Sequence, residues 1–239
     1  MDRRFRTFLS VPKTLGIAGM LAAIALVGIG PSTGAGPGAN AHKSAPAETL
    51  VGGITAEEYA AQMADLHGWL KGEMPAGVLD RAVVVGLTDQ ERSDLGKRQE
   101  SKEGPAVVGR TKPITEMVRF TAQDAALLSA NPRQVGHGTI QATPDGGFVW
   151  AMALESSGAG ALRVHIGGMK IPGDADLYFF SPQGQAFGPY SGKGANGSGD
   201  FWTNTIIGSK GVVQLGYYGP NAAEDLKGIS FVVSEVGHI

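Results

Sequence analysis

The chain has no cysteine among its 239 residues. That excludes disulfides, thiolate catalysis, cysteine-ligated zinc and a lipid-modified N-terminal cysteine together. It also lacks an excess of either charge: 20 basic residues meet 22 acidic ones, for a net charge of −2. Such a balance carries no footprint for nucleic acid. Histidines are scarce. His42, His67, His137, His165 and His238 never fall three or four residues apart, so no local pair of imidazoles is set up for a metal. None of Ser157, Ser181, Ser191, Ser198, Ser209 and Ser230 stands in Gly-x-Ser-x-Gly, the turn that raises a hydrolase nucleophile. Nothing in the C-terminal half reads as catalytic machinery.

What the chain has in quantity is glycine, 37 residues with 13 prolines, in a composition that is 42% hydrophobic and 18% charged. That mixture suits many short strands and tight turns. The N-terminus follows another logic. Arg3, Arg4, Arg6 and Lys13 precede the uncharged apolar run Leu15 to Ile29, and Ala39-Asn40-Ala41 supplies small residues for a signal peptidase. Residues 1–41 are therefore expected to be an export signal cleaved before His42, with an uncleaved anchor as the alternative. Cleavage takes away four basic and one acidic residue, leaving 16 against 21 and a charge of −5. The expected location is secreted or periplasmic, with no membrane attachment once the signal is gone.

Residues 42–130 read as a small helical and irregular N-terminal region. Thr55-Ala56-Glu57-Glu58 is a capping box, and Tyr59, Met63, Leu66 and Leu70 follow at helical spacing until Gly72, predicting a helix over 55–71. Its polar face is not basic, which favours packing on its own domain over a membrane surface. Residues 89–104 mix charges with one large apolar residue, Leu95, and predict a solvated loop. Val83 to Val85 and Val107-Val108 predict short strands, and Thr121 a short helix ending before Asn131-Pro132.

Residues 131–239 predict the main domain. Short β-rich runs at 139–143, 148–154, 162–166, 177–181, 201–207, 212–218 and 229–236 are separated by turn signals such as Pro144-Asp145-Gly146-Gly147 and Gly219-Pro220-Asn221. Leu162, Val164 and Ile166 alternate with Arg163 and His165, and Ile229, Phe231 and Val233 repeat the pattern. Period-two alternation means one buried and one wet face. The expected class is mainly β: an antiparallel β-sandwich, jelly-roll-like, behind the helical region and the signal peptide.

Candidate sites are few. Gly192 to Gly197 matches G-x-G-x-x-G, but strand-like Phe201-Trp202 follows where a phosphate-binding helix should begin, so it reads as a loop. Asp174 and Asp176, with Asp200 further on, are the candidate calcium ligands, though two spaced aspartates fall short of the six to eight oxygens that ion takes. No other cofactor is implied. Of the aromatic residues, Tyr178, Phe187, Tyr190 and Trp202 are the candidate contact surface for a glycan or peptide, against the alternative that they fill the core. His165 reads as a solvated histidine on a strand's polar face.

Four segments in order carry a resemblance: Ala161-Leu162-Arg163-Val164-His165-Ile166, Ile171-Pro172-Gly173-Asp174-Ala175-Asp176-Leu177-Tyr178, Phe187-Gly188-Pro189-Tyr190 and Asp200-Phe201-Trp202-Thr203-Asn204-Thr205. Over about residues 135–238 the chain resembles the β-sandwich region N-terminal to the catalytic domain in secreted bacterial trypsin-like and lysyl-endopeptidase-like serine peptidases. The family's catalytic His, Asp and Ser have no counterpart before Ile239. The resemblance implies a non-catalytic accessory or pro-region module, as a fragment or free-standing, whose partner is a C-terminal or separately encoded peptidase domain. The alternative expectation is a stand-alone exported binding module for glycan, cell wall or peptide.

Overall fold

The computed structural model describes residues 55–239 except 102, 103, 105 and 106. The expected signal peptide at 1–41, and residues 42–54 behind it, lie outside the described residues. Helix α1 (Ala56–Glu73) begins as its sequence predicts: the Thr55 hydroxyl accepts from the Glu58 amide while the Glu58 carboxylate accepts from the Thr55 amide. It runs through Gly72, and Met74 caps it by donating to the Leu70 carbonyl. After the two-residue strand β1 (Val83–Val84) comes helix α2 (Asp89–Glu100), where the sequence had predicted a loop. The missed signal is a second capping box, Thr88 with Glu91. None of the helix's residues is buried. It is held by its cap, by Asp89–Arg92, and by Glu91 bonding Lys112 at 2.9 Å, rather than by an apolar stripe.

Strand β2 (Arg110–Arg119), the short helix α3 (Ala122–Ala126) capped by Thr121, and strands β3 (Arg133–Val135), β4 (Gly138–Ala142), β5 (Phe148–Glu155) and β6 (Ala161–Lys170) follow. Val107-Val108 precedes β2 and forms no strand. Then come β7 (Ala175–Phe180), β8 (Ala186–Ser191), β9 (Phe201–Trp202), β10 (Ile206–Ile207), β11 (Lys210–Tyr217), helix α4 (Ala222–Asp225) and β12 (Ser230–His238).

These strands build two antiparallel sheets. The first runs β3-β4-β5-β11-β7-β8, with β1 added in parallel to β5; the second runs β10-β6-β12-β2, with β9 paired to β6. The chain crosses between sheets from β1 to β2, β2 to β3, β5 to β6, β6 to β7, β8 to β9, β10 to β11 and β11 to β12. Strands from before residue 131 thus join both sheets, β1 the first and β2 the second. Between the sheets lies one core, in which Phe148, Trp150, Met152 and Leu154 of β5 meet Leu162, Val164 and Ile166 of β6 and Phe231 and Val233 of β12. Phe148 stacks on Tyr217 at 5.4 Å, and Trp150 meets Phe231 edge-on at 5.7 Å. Trp150 fits only because Gly138 lies against it, where a Cβ would come within 2.2 Å of the indole.

The outer faces of the sheets differ. On the first sheet, Ala151 and Ala153 of β5, Tyr178 and Phe180 of β7 and Val212 of β11 form a second buried cluster with Leu66 and Leu70 of α1. That sheet is buried on both faces, which is why Leu177 to Phe180 is unbroken by polar residues. On the second sheet the first half of β6 keeps its alternation, with Arg163 and His165 pointing away from the core.

Candidate functional site

The outward face of the second sheet brings together polar and aromatic groups that lie far apart in sequence. Its geometry comes from an irregularity in β12. Phe231 and Val233 point into the core, and so do Val236 and His238, so the inward phase changes from odd to even at Ser234-Glu235. The pairing to β6 slips there: Val233 faces Ile166 but Glu235 faces His165. Such a bulge re-aims a side chain. Ser234 is turned outward so that its hydroxyl lies 2.6 Å from His165 Nδ1. On the other side of the ring, His165 Nε2 lies 3.0 Å from Asp200 Oδ1.

His165 is therefore not the freely solvated histidine the sequence suggests. Both ring nitrogens are engaged, its side chain is only 19% exposed, and its ring lies 5.0 Å from that of Trp202, its cross-strand partner on β9. Above Trp202 sits the Arg163 guanidinium, 4.6 Å from the indole centroid. Arg163 reaches it across Gly237, where a Cβ would approach Arg163 Cγ to 3.0 Å. Its Nε is buried and has no hydrogen-bond partner. Ser, His and Asp in one string invite comparison with a catalytic triad, but the ring nitrogens are used in reverse: serine here meets Nδ1 and aspartate Nε2. The string also lies on an open sheet face. What it does physically is hold the imidazole in one orientation beside Trp202.

The four aromatic residues singled out in the sequence do not form a row. Tyr178 is buried beneath α1, edge-on to Trp69 at 5.9 Å, and burial with nearby Asp176 pushes its hydroxyl pKa up. Tyr190 is also buried: its hydroxyl donates to Asn204 Oδ1 at 2.9 Å and accepts from the Asn204 amide at 3.1 Å. Phe187 packs half-buried against the core. Only Trp202 reaches the outward face. The reason is tertiary: β7 is covered by a helix that sequence alternation cannot see, and β8 folds back on the β9 region.

The candidate calcium ligands do not converge either. Asp176 accepts from the Ser191 hydroxyl, the Asp174 carbonyl accepts from the Tyr218 amide, and Asp200 belongs to His165. Among the described residues no group of three or more His, Asp or Glu side chains comes together as a metal site would require. Gly192 to Gly197 is a turn leading into β9. No described helix is long and apolar enough to cross a membrane.

Sequence reasoning missed Ser234 altogether and set His165 aside. The one available signal was the broken alternation after Val233, where the next core residue is Val236. No family model matches this chain, and no curated protein matches it.

Proposed function

We propose that this chain is an exported, non-catalytic recognition module that binds a glycan or peptide through the outward face of its second sheet. The observation that supports this is the Arg163–Trp202–His165 stack: a half-exposed indole with a cation laid over it and a doubly hydrogen-bonded imidazole beside it. A rigid flat aromatic with its neighbours already ordered costs little entropy on binding. In this reading residues 1–41 direct export, and the sandwich, with its repeated crossings between sheets, is jelly-roll-like.

The peptidase-associated reading draws on a different observation. The two most specific pieces of the resemblance, Phe187 to Tyr190 and Phe201 to Thr203, lie side by side: the Tyr190 ring lies 5.1 Å from that of Phe201, and its hydroxyl bonds Asn204 just beyond the second piece. They stitch an edge of the first sheet to the second, so they are a signature of fold. In that reading the module accompanies a peptidase and does no chemistry itself.

Retention of the full-length chain on insoluble polysaccharides and on peptide arrays tests the recognition role. Binding that Trp202→Ala abolishes is the expected result. Hydrolysis of ester or casein substrates by the purified chain, lost in Ser234→Ala, would overturn the non-catalytic reading. N-terminal sequencing of protein recovered outside the cytoplasm should begin at His42.

A further inference from the structure

We infer that the ligand of this face is a carboxylate-bearing polysaccharide, bound along β6 and β12 with its acid groups at the two ends of a strip. This rests on the recognition role proposed above and names the chemistry it serves.

Three cations point outward from the second sheet, and none has an acidic partner among the described residues. Lys170 of β6 and Arg119 of β2 are both exposed and both pair in register with Ser230 of β12, so they form one cross-strand row. Arg163 is the third. Among the described residues its one side-chain partner is the Trp202 ring, and its buried Nε has no acceptor. A carboxylate is the anion whose two oxygens match a guanidinium's terminal nitrogens, so it is the group this cation can pair with on the outward face. Seven positions of β6 separate Arg163 from Lys170, roughly 20 Å at the rise of a strand. Between them run Trp202, His165, Val232 and Met117, the last 59% exposed. The acids on this face, Asp200 and Glu235, both belong to the His165 region, Asp200 by its hydrogen bond and Glu235 by register. Negative groups on a ligand are therefore repelled from the middle of the strip and attracted to its ends.

The flatness of the surface decides between a polysaccharide and a peptide. An extended peptide gains most of its affinity by adding main-chain hydrogen bonds to a sheet edge. In the interior of this sheet those groups are already spent, since β6 and β12 each pair on both sides. Only side chains are on offer, and they match what sugar rings present: flat C–H faces for Trp202 and carboxylates for Arg163, Arg119 and Lys170.

Titration of the full-length chain with polygalacturonate, with the same polymer methyl-esterified, with a neutral glucan and with poly-glutamate tests this. Expected are saturable, salt-weakened binding of polygalacturonate, at least a tenfold loss on esterification, and at least tenfold weaker binding by Arg163→Gln. Arg163→Lys should lose most of the same affinity, because a point charge cannot replace the planar fork. Arg119→Gln with Lys170→Gln, two exposed changes that leave the core untouched, should weaken binding and flatten its salt dependence. Equal binding of the esterified polymer, or of poly-glutamate, overturns the inference. A neutral glucan bound through Trp202 would do so too while leaving the recognition role standing, whereas no binding by any glycan or peptide would sink both.

Discussion

The side-chain amide of Gln214, in the centre of the first sheet, donates to the Leu70 carbonyl at the end of α1 at 3.2 Å, across 144 residues of sequence. It is a buried polar group facing a helix, and only half of it is satisfied, for its Oε1 has no partner. The Leu70 carbonyl also accepts from the Met74 amide, so it does not depend on Gln214.

The consequence is a contrast between neighbours. Gln214→Leu should be neutral or stabilising by up to about 1 kcal/mol, because it removes an unpaired acceptor and orphans nothing. Leu70→Ala should cost about 2–5 kcal/mol, as it empties a fully buried site between helix and sheet. Urea denaturation of the two variants checks both signs. If Gln214→Leu proves the more damaging, the hydrogen bond is what docks α1.

Tyr190→Phe removes one hydroxyl that serves as donor to Asn204 Oδ1 and acceptor from its amide. The orphaned groups should lower stability by about 1–3 kcal/mol. Hydrogen exchange at the Asn204 amide should rise in the variant; an unchanged exchange rate would mean that the two sheets are tied elsewhere.

The start of α2 should be acid-sensitive. The Thr88 amide, and behind it the Lys112 ammonium, hold the Glu91 carboxyl at about 2, well below its ordinary 4.5. A depressed carboxylate contributes stability above the unfolded value, and that contribution is lost as pH falls from about 4.5 towards 2. Amide chemical shifts of Thr88 and Glu91 followed by NMR should titrate in that window, and Glu91→Gln should remove the transition.

Tyr217 behaves in the opposite sense. Burial, and the Asp225 carboxylate that accepts from its hydroxyl, push its pKa up to about 12 from 10.0. The neutral phenol is therefore favoured in the folded state. Its contribution is complete below pH 10 and disappears as pH rises through about 12. Tyrosinate absorbance should show several late-titrating groups, of which Asp225→Asn shifts only the Tyr217 component towards lower pH.

Much of this architecture is legible before any coordinates. The alternation Leu162, Val164, Ile166 and its echo in Ile229, Phe231, Val233 places these inward residues correctly, and fails beyond them, where Met169 of β6 and Val236 of β12 are buried out of phase. The Thr55 capping box marks the start of α1. The Thr88 box was equally plain, yet a segment without an apolar stripe reads as a loop when hydrophobic periodicity is the criterion. Of the four aromatic residues the sequence offers as a contact surface, only Trp202 lies at the candidate site. Tyr178 and Tyr190 are as aromatic as Trp202, and nothing within a few residues of them says that a helix or a neighbouring loop will cover them.

The sequence alone determined the strands β4 to β7 and β9 to β12 and the turns between them, because backbone preference and side-chain alternation act over a handful of neighbouring residues; β2, β3 and β8, which carry no clean alternation, were not legible in it. Tertiary structure decided which sheet face stays open. α1 covers the first sheet through contacts with β7 and β11, more than 100 positions away, and the slipped register at Ser234 delivers its hydroxyl to His165, 69 residues earlier. Coverage and register depend on how whole sheets fit against one another, and no local pattern of residues encodes that fit.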